Sequence, residues 1–355
     1  MVTSRHRIRI LTGCALAVTT LGAIVGAYAY TRGLFGDPPS AARIIDRFET
    51  VSGKHAGFRR NHAKGICVSG HFDSNGQGAS ISRARVFEAG SVAVIGRLSV
   101  AGGNPAQDDG SSRVRSLALR MTPQGGGEWR TAMNSVPVFP VRTPEALFDL
   151  LGASRAVQDA TQDATKYDKS SEQAFTKTHP EAAAFENWLR DHPPSSGFDN
   201  AAYYSVSAFR FIDRDGAARF VRWSVVPDAR YAPMQEAQHG DPDFLERGLA
   251  AQLQRGPIRW HLIVTLAQAG DPTDDSTRLW PERRRQIDLG TLVIDTEHAQ
   301  IDGPCRDISF DPLTLPDGIA ASNDPLLAAR SAAYTESHER RTSEQAGASR
   351  GSATR

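Results

Sequence analysis

The chain opens with a basic flank and then a run without charge. Arg5, Arg7 and Arg9 precede 21 residues, Ile10 to Tyr30, that carry no charged side chain. About 20 apolar residues suffice for a helix to cross the hydrocarbon core of a bilayer. The basic flank, residues 1–9, is expected to stay on the cytoplasmic side. Residues 10–30 therefore read as a transmembrane anchor, or as a signal peptide cleaved near Ala27-Tyr28-Ala29; both readings export the body. Residues 31–40, with Gly36-Asp37-Pro38-Pro39, read as a linker.

Past the linker the pattern becomes that of a folded domain. Ser40 is placed to cap a helix whose apolar stripe is Ile44, Ile45 and Phe48. From Gly65 to Phe72 the period changes to two: Ile66, Val68 and Phe72 share one parity, while Cys67, Ser69 and His71 share the other. Arg85-Val86-Phe87, Val92 to Ile95 and Ser116 to Met121 continue as short β-like runs. Pro144 begins a helical region reaching about Arg190. Strands resume over Ala201 to Val226, with a hairpin turn at Asp213-Arg214-Asp215-Gly216. A further helix is predicted over Asp243 to Gln254, strands over Ile258 to Ala267 and Leu289 to Ile294, and a helix from Pro325 to about Arg341. Residues 342–355, rich in Ser, Ala, Gly and Arg, are expected to be disordered. The fold class that follows is α+β, an antiparallel β-barrel with flanking helices.

Composition changes this picture little. With 355 residues and a net charge of +1 the chain has no basic excess, so no nucleic-acid partner is implied. Of three cysteines, Cys14 lies in the apolar run. Cys67 and Cys305 could pair, but nothing in their spacing indicates it, and the default reading is a pair of buried small hydrophobes.

The chemistry is concentrated in a few segments. Arg59-Arg60-Asn61-His62-Ala63-Lys64-Gly65 resembles the distal-histidine segment of the haem catalases, with Arg three residues before His and Ala-Lys-Gly after it. Ser82 to Glu88, Gly96-Arg97-Leu98-Ser99-Val100-Ala101-Gly102 and Asn134-Ser135-Val136-Pro137-Val138-Phe139 are similar to segments that follow in that family. Near the end, Arg330-x-x-x-Tyr334-x-x-x-His338-x-x-Arg341 resembles the proximal segment. The matches run in family order from about Ser40 to Arg341, so residues 41–341 are expected to form a catalase-type haem domain.

The resemblance implies a haem b cofactor with Tyr334 as the axial ligand of its iron. Arg330 lies one helical turn before Tyr334, on the same face. An unperturbed tyrosine titrates near ~10 and is a poor anion at neutral pH; a guanidinium and ferric iron beside it both favour the phenolate. Arg59, Arg97 and Arg341 match arginines that neighbour the haem propionates, and a guanidinium suits a carboxylate. His62 would move the proton of bound peroxide, Asn134 would position the peroxide, and Ser99 would orient His62. Phe139 and Phe148 are candidates to pack near the haem edge.

The chain also departs from large catalases. It carries no C-terminal helical domain, and Asn61 stands where the family has a small apolar residue. The resemblance thus points to the short catalase-related peroxidases. The expected activity is reduction of organic hydroperoxides, and of hydrogen peroxide, by an external electron donor, protecting the exported compartment. Two alternatives stay open: a fatty-acid hydroperoxide isomerase, for which a polar residue at 61 argues, and a non-catalytic exported haem-binding protein.

Overall fold

A computed structural model describes residues 38–160 and 170–353. The basic flank, the span over 10–30 and most of the linker lie outside the described residues. Among the described residues no helix is long and apolar enough to cross a membrane.

Ten strands among the described residues form one antiparallel sheet. They are β1 (Gly65–Ser74), β2 (Gly90–Val100), β3 (Arg115–Thr122), β4 (Trp129–Asn134), β5 (Tyr203–Tyr204), β6 (Phe209–Ile212), β7 (Ala218–Pro227), β8 (Ile258–Leu266), β9 (Gln286–His298) and β10 (Ile319–Ala321). β1, β2, β3, β4, β5, β7, β8 and β9 pair in that order, and β9 pairs back onto β1, closing a barrel. Closure leaves no open edge in the ring. β6 pairs with β7, and β10 with β6, beside it. The helices are α1 (Ala41–Ser52), α2 (Pro144–Ala160), α3 (Ser170–Thr178), α4 (Ala183–Asp191), α5 (Phe244–Arg255) and α6 (Pro325–Ala353). Ser40 caps α1 as expected, its Oγ accepting from the Arg43 N–H at 3.3 Å, and Ile44 and Ile45 are buried.

The period of two decides what faces where. Ile66, Val68 and Phe72 of β1 point into the barrel with Val94 and Leu98 of β2, Leu117 and Leu119 of β3, and Trp129 and Met133 of β4. Trp223 and Trp260 complete that core, where each large apolar side chain contributes about 1.5–3 kcal/mol. The opposite parity faces outward. Register then aligns Gly65, Ser99, Ser116 and Asn134 in one row across four strands, and Cys67, Arg97, Ala118 and Ala132 in the next. These two rows form the wall on which the site is built.

Three expectations are corrected and one strand is added. Arg85–Phe87 is a 3₁₀ turn with Val86 and Phe87 buried, not a strand; a short apolar run reports burial without fixing conformation. β4 (Trp129–Asn134) is a strand that the sequence reading did not assign. Cys67 and Cys305 form a disulfide across 238 residues of chain. The residues after Arg341 continue α6 to Ala353 instead of being disordered. That extension is held by tertiary contacts: Glu344 accepts from Arg60 Nη2 at 2.5 Å and from the Gly57 N–H at 2.9 Å.

Candidate active site

A cavity of about 320 Å³ lies against the outer face of β2, β3 and β4. Ile44, Ile45 and Phe48 of α1, Leu147, Leu150 and Leu151 of α2, Phe185 of α4 and the inner stripe of α6 close it. That stripe is Arg330, Ala333, Tyr334, Ser337, His338 and Arg341, the spacing of one helix face. The cavity brings together His62, Ser99, Asn134, Arg59, Arg97, Arg330, Tyr334, Arg341 and Phe139. Phe148 is not among its walls; the guanidinia of Arg43 and Arg47 stand over its ring, 4.9 and 4.2 Å from the centroid.

His62 and Asn134 occupy the barrel side. His62 has φ of 55°, in the left-handed region that costs a non-glycine residue about 1–3 kcal/mol. Asn61 holds this bend: its Oδ1 accepts from the His62 N–H at 2.9 Å and the Gly102 N–H at 3.0 Å. Its amide is therefore a backbone brace for the histidine. Burial, and then the positive charges of Arg97 and Arg330, push the His62 imidazole down to about 3, so it is neutral. Its buried Nδ1 has no hydrogen-bond partner. Ser99 lines the same cavity, and no hydrogen bond joins it to His62 among the described residues. Ser116 donates to Asn134 Oδ1 at 2.7 Å, which fixes the amide with its NH₂ as the end left for another acceptor. Ser116 was missed in the sequence, although it lies in the register row of Ser99 and Asn134.

Tyr334, on α6, lines the cavity and packs against a buried cluster of Cys67, Cys305, Ile308 and Phe310. Arg330 shares its helix face and donates through Nη2 to the Ala132 carbonyl at 3.4 Å.

The third side of the cavity is cationic. Arg59 Nη2 donates to the carbonyls of Cys305, Arg306 and Ile308 at 3.0, 3.3 and 2.8 Å. Arg341 donates to the Arg306 carbonyl and lies 2.8 Å from His338 Nδ1. Arg97 donates to Gln300 Oε1 and, at 3.2 Å, to the Ala63 carbonyl. Gln300 gave no signal in the sequence. Gly65 permits this approach: a Cβ there would stand 2.6 Å from the Arg97 guanidinium. Arg97 and Arg341 are each 2% exposed, and the Nε of each is buried without a partner. Burial, with added repulsion from Arg341, pushes Arg97 down to about 9; burial and then Arg97 and Arg341 lower Arg59. Two buried guanidinia with unused Nε donors, Arg97 and Arg341, and the half-buried Arg59 beside them suit a divalent or paired anion.

The comparisons with known proteins agree with this geometry. The catalase family model matches residues 42–347. The chain belongs to the catalase family. It is 33% identical over 340 residues to the catalase-related peroxidase of Synechococcus elongatus, covering 95% of this chain and 98% of that one. It is 32% identical to the catalase-related peroxidase of Mycolicibacterium paratuberculosis, covering 86% and 96%. Against catalase-2 of Bacillus subtilis the identity is 27%, and the match spans only 42% of that longer protein. A solved fungal catalase superposes with a TM-score of 0.71 at 19% identity, covering 81% of this chain and 60% of that chain.

Catalase-family proteins typically bind haem, and the residues here fit such a group. The cavity is apolar along α1, α2 and α4, as a porphyrin face requires. The partnerless Nε atoms of Arg97 and Arg341 suit two propionates, and Tyr334 and His62 line the same cavity.

Proposed function

We propose that this chain is a haem b peroxidase that reduces organic hydroperoxides, and hydrogen peroxide, with electrons from an external donor on the exported side of a membrane. The observation that carries the reading is the content of one cavity: Tyr334, a neutral His62, the Asn134 amide held by Ser116, and the clustered guanidinia of Arg59, Arg97 and Arg341. Tyr334 would ligate the iron, and Arg59, Arg97 and Arg341 would take the propionates. Haem, when bound, supplies the redox centre that a peroxide oxidises and a donor re-reduces.

The chain's own residues account for the proton movements. His62 is neutral, so it can take the proton from one peroxide oxygen and deliver it to the other as the O–O bond breaks. The Asn134 NH₂ is held by Ser116 to donate to bound peroxide, which fixes the reacting oxygens. The hydroperoxide ROOH leaves as ROH and water once two electrons and two further protons arrive. Asn61 lines the cavity, but its amide oxygen is engaged by two backbone N–H groups, which weakens the argument for the isomerase alternative.

Export is supported by the Cys67–Cys305 disulfide, since such bonds persist mainly in oxidising compartments. The membrane anchor over residues 10–30 is part of the same proposal. The test is a side-by-side comparison on one haem-replete preparation. Donor oxidation with tert-butyl or cumene hydroperoxide, with weak oxygen evolution from hydrogen peroxide, is expected. Rapid oxygen evolution with no donor oxidation would make the chain a small true catalase.

A further inference from the structure

Behind the arginine end of the first cavity lies a second, of about 190 Å³. The two share Arg59 and Arg341 as a common wall. Gln300, Ile301, Arg306 and Gln345 complete much of its lining, and no carboxylate contributes to it. Its chemistry differs from that of the first cavity, and the peroxide steps leave it unused.

Two features of its rim suggest a ligand. The Arg306 side chain is 39% exposed, and its ion pair is a long one, Nε to Asp307 at 3.8 Å. Ile301, 61% exposed, is the most exposed of the large apolar side chains in the described fold. A charge count supports the same conclusion. Arg59, Arg97, Arg306 and Arg341 bring four positive charges to this corner. Two propionates and Asp307 would offset three of them, leaving one cation beside an exposed apolar side chain.

We infer that this second cavity is the docking site of the electron donor, and that the donor is a small organic anion with an apolar or aromatic edge. The inference rests on the peroxidase reading above. The anionic end meets Arg306, the apolar edge lies on Ile301, and Arg59 and Arg341 separate the donor from the propionate end of the first cavity. Two donor molecules in succession each give up one electron. With two protons from solvent, those electrons convert one ROOH to ROH and water.

The test uses the full-length, haem-loaded protein with Arg306→Ala and Arg306→Glu. Two donors are compared with tert-butyl hydroperoxide: the disulfonate dye ABTS and neutral guaiacol. Loss of one charge-assisted contact at a half-exposed site should raise the KM for ABTS by about tenfold in Arg306→Ala, and further in Arg306→Glu. Guaiacol kinetics, haem content and the rate of the Soret change on adding peroxide should stay as in the wild type. Calorimetric titration of ABTS without peroxide should weaken in the same order. Unchanged ABTS binding and KM would overturn the inference, as would equal losses with both donors. Failure of the wild type to oxidise any donor with any peroxide would instead overturn the peroxidase reading. The two failures are distinguishable because ABTS binding is measured without peroxide.

Discussion

Removing the Cys67–Cys305 disulfide should weaken both the fold and the grip on haem. The bond joins β1 to the segment before α6, and the two cysteines are 238 residues apart. Loop-closure entropy for a link of that span amounts to about 18 cal/mol/K, a ceiling of about 5.5 kcal/mol at 25 °C. Measured losses for native disulfides run lower, so about 2–4 kcal/mol is expected for Cys67→Ser/Cys305→Ser. The local consequence is more specific. The carbonyls of Cys305, Arg306 and Ile308 are the acceptors that fix Arg59, and the sulfur cluster backs the Tyr334 ring. Freed from β1, this segment should hold both groups less firmly. The assays are urea denaturation of the haem-free protein, with mass spectrometry to confirm the oxidised wild type, and haem transfer to excess apomyoglobin. Faster haem transfer and a lower denaturation midpoint are expected. A stability loss without any change in haem transfer would refute the idea that the disulfide braces the arginine and tyrosine walls.

Four further outcomes are expected. Tyr334→Phe should lose haem or shift its ferric spectrum grossly; an unchanged spectrum would remove Tyr334 as the ligand. His62→Ala should retain haem and slow the reaction with peroxide by about 10²–10⁴-fold in stopped flow, the usual contribution of a general acid–base group. In the haem-free protein the folded state keeps His62 neutral down to about 3, whereas the unfolded chain protonates it near its ordinary value of 6.5. Stability should therefore fall as pH drops below that value, and His62→Gln should reduce the fall; parallel pH profiles of the denaturation midpoint would contradict this. Glu344→Gln should cost about 1–3 kcal/mol in urea denaturation, because it leaves the buried Arg60 guanidinium short of a charged partner.

The sequence by itself determined the local geometry of the site. Alternation along β1 put Ile66 and Val68 on one face and Cys67 on the other, because strand parity is a property of consecutive residues. The four-residue step from Arg330 to Tyr334 placed both on one helix face for the same reason. The collinear segments around His62, Ser99, Asn134 and Tyr334 were legible because each is short and contiguous. What needed the tertiary structure was every feature set by register or by distant contact. Barrel closure brought Ser116 beside Asn134 and so revealed a residue with no motif of its own. The pairing of Cys67 with Cys305 depends on β1 passing the segment before α6, and no spacing encodes that. The helix after Arg341 looked disordered because its composition is weakly apolar; contacts of Glu344 with Arg60 and Gly57 order it. Asn61 lines the cavity as expected, and the structure adds that its amide oxygen braces the backbone at His62. Propensity and period act over a few residues, whereas the partners that orient a side chain arrive from anywhere in the chain, and only the closed barrel and its helices decide which ones meet.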